Sequence, residues 1–251
     1  MAEKLQNSVP GAHSRVASAI PEGLLLVNKP SGPTSHDVVA LVRHVLAMQR
    51  IGHTGTLDPM AEGLLVLLVG RATQHQQELQ GHEKCYEATL RLGIQTDTGD
   101  LTGKPVRTAA VPSLDHDHLS ELLQTFHGTQ SQTPPIYSAV KVRGRPSYWW
   151  ARHRTPVALS PRQIHLSALS LITMSEETLT FRVHCSAGTY IRTLGESIAD
   201  QLGTVGHLTR LVRLSIASWR VEDAVSTTWI AHASSALLAQ KLLSVGPSLQ
   251  R

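Results

Sequence analysis

The chain has 251 residues, 41% of them hydrophobic and 4% aromatic, with 23 Lys and Arg against 19 Asp and Glu for a formal net charge of +4. Plentiful apolar residues and a small net charge exclude an intrinsically disordered chain, and no apolar run approaches the roughly 20 residues that a membrane-spanning helix needs. Cys85 and Cys185 lie too far apart for a disulfide framework or a zinc set, and no secretory pattern opens the chain, so a soluble cytoplasmic protein without a metal site is expected.

Residues 1–22 are polar, hold Pro10 and Pro21 and show no periodicity; a flexible extension is expected. Leu24 to Val27 predicts a short strand running into the turn Lys29-Pro30-Ser31-Gly32-Pro33. Thr34 or Ser35 then caps a helix whose apolar positions Val38, Val39, Val42, Val45 and Leu46 have helical spacing. Ile51 to Pro59 reads as a loop, and Gly63 to Gly70 as a buried strand. From Tyr86 the chain alternates, with Ala88, Leu90 and Leu92 on the tyrosine's side and Glu87, Thr89 and Arg91 on the other. Gly93 to Gly103 has turn chemistry. Leu119, Leu122, Leu123 and Phe126 form a helical stripe that Gly128 ends. Leu179, Phe181, Val183 and Cys185 alternate as a half-buried strand; after Gly188, Ile191, Leu194, Ile198 and Leu202 mark another helix. Trp229 to Leu243 reads as helical. Strands mixed with helices without regular βαβ alternation predict an α+β fold with a mixed sheet.

Charge is uneven along this order. No Asp or Glu lies between Leu122 and Ser175, yet Lys141, Arg143, Arg145, Arg152, Arg154 and Arg162 do. Tyr137, Tyr148, Trp149 and Trp150 interleave with them, as in surfaces that bind nucleic acid; a solvated basic face is the plainer reading of the charges alone.

Three segments offer chemistry. In Gly52-His53-Thr54-Gly55-Thr56-Leu57-Asp58-Pro59, the glycines permit close backbone approach and Pro59 holds Asp58 extended, so the carboxylate is placed to act as nucleophile or base. An Asx–Pro turn explains the same residues without function. In Gly188-Thr189-Tyr190-Ile191-Arg192-Thr193, an extended chain would point Tyr190 and Arg192 the same way, and Arg192 would then pair with Asp58. Tyr86, heading an apolar strand face beside Lys84, suits stacking on a base or simple burial in the core.

Together these segments resemble the TruB-type tRNA pseudouridine synthases, over roughly residues 23 to 220. The resemblance runs through Lys29-Pro30-Ser31-Gly32-Pro33-Thr34-Ser35, GHTGTLDP at 52–59, Gly63 to Gly70, Lys84-Cys85-Tyr86, the TDTGD turn from Thr96, Thr133-Pro134-Pro135-Ile136-Tyr137-Ser138-Ala139-Val140-Lys141 with Gly144, Gly188 to Thr193 and Leu211-Val212-Arg213-Leu214. It implies a pseudouridine synthase fold, with a mixed, largely antiparallel central sheet, flanking helices and an RNA-binding insertion. The implied reaction is isomerisation of uridine 55 in the tRNA T arm, by base flipping and without a cofactor. Asp58 would be the catalytic carboxylate, Arg192 its salt-bridge partner, and Tyr86 and Tyr190 the residues lining the uracil pocket. His53 would fill space vacated in the RNA, Leu211 would pack against the base, and Lys29 would support the Asp58 motif or contact RNA. Lys84, Lys141, Arg143 and Arg145 would contact RNA.

The expected organisation is an extension at 1–22, a catalytic domain at 23–221 with the insertion at about 130–160, and a short helical tail at 222–251, too short for the family's C-terminal PUA-type domain. A monomer acting on the T-arm stem-loop, away from membranes, is expected. The chain departs from the family pattern at Asn28, Glu62, Trp149 and His153-Arg154. A non-catalytic RNA-binding or tRNA-folding protein on the same scaffold is the alternative. A glycosidase or nucleosidase would need a second carboxylate, for which Asp97 and Asp100 are candidates.

Overall fold

The computed structural model describes residues 21–245. The expectation for residues 1–22 therefore falls almost wholly outside the described residues. β1 (Gly23–Lys29) leads through a tight turn into α1 (Ser35–Leu46). Of the two cap candidates Thr34 takes the role, its hydroxyl accepting from the Asp37 amide while Asp37 reaches back to the Thr34 amide. β2 (Ile51–His53) and β3 (Glu62–Val69) follow, then a 3₁₀ turn at Gly70–His75 and α2 (Gln76–Gln80). β4 (Lys84–Leu92), β5 (Ile94–Thr96), β6 (Pro105–Thr108), α3 (His116–Gln124) and β7 (Gly128–Gln132) come next. The acid-free segment forms β8 (Lys141–Val142), β9 (Arg145–Pro146) and α4 (Ser147–Arg152), then enters β10 (Arg162–Met174). The chain closes with β11 (Thr178–Cys185), α5 (Ile191–Gln201), β12 (Gly206–Ile216), β13 (Trp219–Arg220), β14 (Val225–Ser226), α6 (Thr227–His232) and α7 (Ser235–Ala239).

Among the described residues, ten strands make one sheet in the order β14-β1-β3-β12-β4-β11-β10-β7, with β13 paired to β12 and β2 to β3. Only β1 with β14 and β3 with β12 run parallel, so the sheet is mixed and largely antiparallel, as expected. One face carries the main core, where α1, α3, α5, α6 and α7 pack on Leu25, Val27, Leu65, Leu67, Leu90 and Phe181. A smaller cluster of Leu24, Leu26, Leu64, Val66, Leu68, Leu79 and Ile216 covers the other face of β1 and β3. β3 is thus buried on both sides, which is why its sequence is an unbroken apolar run rather than an alternation. β4 alternates because Glu87 and Arg91 face the open side of the sheet, where Glu87 pairs with Arg182 and Arg210.

Three elements differ from the sequence reading. Part of the expected loop at 51–59 is β2, which borrows its regularity from pairing with β3. β10 has two register shifts, between Leu166 and Ala168 and between Leu171 and Thr173, and these break the period-two signal in its sequence. The expected helix from Trp229 to Leu243 is two short ones, because Ala233 turns extended and Ser234 caps a new helix; Leu243 then bridges to Leu24. Among the described residues no helix is long and apolar enough to cross a membrane.

The strands bring four chain segments to one place. Lys84 opens β4 opposite Cys185, where β11 ends and leads to Tyr190; Tyr86 faces Arg213 of β12 in register; and Arg213 pairs with Gly63 at the entrance to β3, just after Asp58. Gly63, at φ +97°, permits that close approach, since a Cβ there would sit 2.9 Å from the Arg213 amide nitrogen.

Candidate active site

Asp58 stands on a loop pinned from both sides. The Ser35 hydroxyl accepts from the Leu57 amide (2.8 Å) and donates to the Leu57 carbonyl (3.0 Å). The Lys29 ammonium donates to the carbonyls of Pro30 (2.8 Å), Pro33 (2.8 Å) and Pro59 (3.2 Å). The turn after β1 and the aspartate loop are therefore one hydrogen-bonded unit. Lys29 is 0% exposed, so its ammonium braces the loop and presents no surface to RNA. Lys29→Met would leave two of these carbonyls without their lysine donor and Pro59 with only the Gly32 amide. Unfolding free energy should fall by about 2–4 kcal/mol in urea titration, with affinity for RNA unchanged.

Arg192 is the hub of the site. Its Nε lies 2.9 Å from Asp58 Oδ2 and 3.9 Å from Asp100 Oδ2, while Nη1 donates to the Thr98 carbonyl (2.7 Å) and Nη2 to the Tyr137 carbonyl (2.8 Å). Only 4% of it is exposed. Asp100 is itself held by the Thr98 and Thr102 hydroxyls and the Thr102 amide. Burial pushes the Asp58 carboxyl above the ordinary aspartate range; Arg192 pulls it back, and the Asp100 carboxylate adds to the push. Asp100 is 5% exposed and faces Arg192 rather than the cleft, which is not where a second hydrolytic carboxylate would stand.

Tyr190 and Arg192 are not on an extended segment. Tyr190 is the cap residue of α5 at φ −99°, ψ 109°, and Arg192 sits in the helix's first turn, yet both line the same cleft as Asp58. The side-chain amide of Gln132 clamps the Tyr190 backbone, accepting from its N–H at 2.8 Å and donating to its carbonyl at 3.1 Å. The cleft encloses about 530 Å³, walled by Asp58, Tyr86, Tyr190, Arg192, Leu211 and Arg213. Burial raises the Tyr86 phenol, and Arg213 opposes that shift. The Arg162 guanidinium lies over the Tyr190 ring at 5.6 Å.

The structure brings Asp58, Tyr86, Lys84, Tyr190, Arg192 and Leu211 together, and leaves the other expected residues outside the cleft. His53 sits at the loop's start, where its Nδ1 accepts from the Gly55 amide (3.2 Å) and burial lowers its pKa. Lys141, Arg143 and Arg145 are exposed on the β8–β9 hairpin, whose turn has positive φ at Arg143 and Gly144. Arg145 lies 4.3 Å over Trp149, Arg143 6.0 Å over Trp150, and Arg152 5.4 Å over Tyr148, so aromatic rings brace the cations. Sequence reasoning passed over Arg213 and Gln132. Arg213 was legible as the residue two positions past Leu211 on one strand face; the role of Gln132 depends on β7, which had no clear signal. Among the described residues, no group of three His, Cys, Asp or Glu side chains is placed to hold a metal.

Residues 43–191 match the sequence model described as the N-terminal domain of the TruB family pseudouridylate synthases. The chain belongs to this family. A TruB-family relative, the tRNA pseudouridine synthase B of Hydrogenovibrio crunogenus, is 46% identical over 192 residues, covering 76% of this chain and 63% of that protein. The protein of the same name from Opitutus terrae is 43% identical over 205 residues, with 82% and 85% covered. The chain spans less than two thirds of the Hydrogenovibrio protein and 58% of the one from Psychrobacter cryohalolentis. Among solved structures, a Cbf5-Nop10-Gar1 complex superposes with a TM-score of 0.67 at 26% identity, over 90% of this chain and 60% of that one. The family match holds Asp58, Tyr86 and Tyr190; Arg192 follows it by one residue.

Proposed function

We propose that this chain isomerises uridine 55 in the tRNA T arm to pseudouridine, acting as a cytoplasmic monomer through its own side chains. The observation that carries the reading is the Asp58 carboxylate 2.9 Å from Arg192 in a cleft walled by Tyr86, Tyr190 and Leu211. Residues 23–221 form the catalytic unit in this reading, and the braced cations at about 130–160 hold the RNA.

The chemistry suits these groups. The uridine leaves its stack at a cost of a few kcal/mol, offset by contact with Tyr86 and Leu211. The N1–C1′ bond breaks, the base turns, and C5 joins C1′. Asp58 serves either as nucleophile at C1′ or as base toward a sugar proton, and both routes need it ionised, the state Arg192 favours. C5 must then lose its proton while N1, freed from the sugar, gains one; Tyr190 is the candidate base at C5, its phenol passing its own proton on as it accepts. The isomerisation is redox-neutral and adds no water, so it asks for neither a redox cofactor nor an activated hydroxide. His53 and Lys84 serve RNA binding in this reading.

Nucleoside digestion of a T-arm stem-loop after incubation with the enzyme tests the reading. One pseudouridine per RNA is expected, and its absence would overturn the assignment. Gln132→Leu frees the Tyr190 backbone and lets the α5 terminus shift. A drop in kcat on the order of 10- to 100-fold, with KM nearly unchanged, is expected in steady-state kinetics; Gln132→Glu, which keeps one acceptor, should recover part of it.

A further inference from the structure

Two buried cations in the cleft have no part in the chemistry described above. Lys84 and Arg213 are 7% and 1% exposed, and both line the cleft beside Asp58. Neither forms an ion pair with a carboxylate among the described residues. Their hydrogen bonds go to carbonyls: Lys84 Nζ to Gln80 (2.9 Å) and His82 (2.6 Å), Arg213 Nε to Leu64 (2.7 Å) and Nη2 to Gly55 (3.1 Å). Burial first, and the nearby Arg213 charge second, push the Lys84 ammonium down to about 8. Two like charges taken out of water together are unfavourable until an anion joins them.

The surroundings are shaped for one. At Gly55 the nearest atoms to an added Cβ would be Arg213 Nη1 at 3.8 Å and Lys84 Cε at 3.9 Å, so the glycine leaves unfilled a position in contact with both basic side chains. Thr54, the residue before it and also on the cleft wall, is 0% exposed, and its hydroxyl has no hydrogen-bond partner. A cationic pair and a missing side chain thus meet at Gly55, neither cation is paired with a carboxylate, and an unpartnered hydroxyl stands one residue before the glycine.

We propose that Lys84, Arg213, Thr54 and Gly55 form a phosphodiester subsite that receives the RNA backbone linkage next to the nucleotide held over Asp58. The identity of the ligand rests on the proposed function. The subsite gives the flipped nucleotide a second anchor, at its backbone, in addition to the aromatic contact with its base, and charge-assisted bonds to a phosphate fix register as well as affinity. A third Lys84 proton remains for the ligand after the two carbonyl bonds.

Synthetic T-arm stem-loops with a neutral methylphosphonate at each linkage flanking the target uridine test this by gel shift, with wild type and Lys84→Met. One linkage should weaken wild-type binding by about tenfold or more. Lys84→Met should weaken binding to unmodified RNA by a similar factor, and the two changes combined should add less than about twofold to either alone. Losses that multiply in full at both linkages, or no loss at either, would overturn the subsite. Should Lys84→Met fail to fold, the wild-type comparison decides alone: equal affinity for all the stem-loops contradicts the proposal. The readout is binding, so a protein that forms no pseudouridine would refute the isomerase reading and leave this test intact.

Discussion

Asp58→Asn is expected to lower the rate of pseudouridine formation on the order of 10⁴-fold or more, with RNA affinity within about threefold of wild type. The amide keeps the shape of the carboxylate and can still accept from Arg192, so the loop held by Ser35 and Lys29 has no reason to move. Neither attack on C1′ nor removal of a sugar proton survives the loss of the anion. The same substitution has a stability signature. Burial raises the folded-state pKa of Asp58 above its usual 3.8. Between that value and the folded pKa, the native state binds a proton that the unfolded chain has released, so this group's contribution to wild-type stability falls as pH rises through the window. Asn does not titrate. Denaturant unfolding at about pH 4 and about pH 7 should therefore show Asp58→Asn gaining on wild type at the higher pH. A variant that loses ground instead would mean that the pull of Arg192 outweighs burial. The acid limb of wild-type kcat/KM should likewise lie above the ordinary aspartate value.

Arg192→Met is the second large effect. It strips the only ion-pair partner from Asp58 among the described residues, leaves Asp100 facing it, and takes the donor from the Thr98 and Tyr137 carbonyls. Breaking a buried pair on one side costs about 3–5 kcal/mol at neutral pH, and the lost positioning and charge support should lower kcat by on the order of 10²–10³. The acid limb of the pH–rate profile should also move up, because burial and Asp100 still raise the Asp58 pKa while the opposing guanidinium is gone. A limb that stays in place while kcat falls would show that Arg192 acts only by shape. Arg192→Lys should restore part of the charge effect but not the fork to Thr98 and Tyr137.

Much of the site was legible along the chain because its motifs are local. The pinned loop at Asp58, the β4 alternation that puts Tyr86 at the head of its apolar face, and the pairing of Arg192 with Asp58 follow from turn chemistry, period two and opposite charge. The geometry of Tyr190 and Arg192 did not, since the strand ends at Cys185 and the helix starts at Ile191, one residue before the arginine. Lys29 illustrates the limit on reading cations: one Lys serves as brace or as RNA contact, and only its burial among three carbonyls separates the two. β10 was hidden by two register shifts, and Gln132 became meaningful only once β7 lay beside the α5 terminus. The spacing from Leu211 gives the strand face of Arg213 but not its role, because its surroundings come from β3, β4 and the loop at Gly55.

Tritium release from a T-arm stem-loop carrying 5-tritiated uridine tests the central claim most directly, with wild type and Asp58→Asn measured side by side and gel shifts run on both. Wild type should release one tritium per target uridine, and Asp58→Asn should release none while still binding the RNA. Release that persists in Asp58→Asn, or is absent from wild type bound to the RNA, would contradict the assignment of catalysis to Asp58.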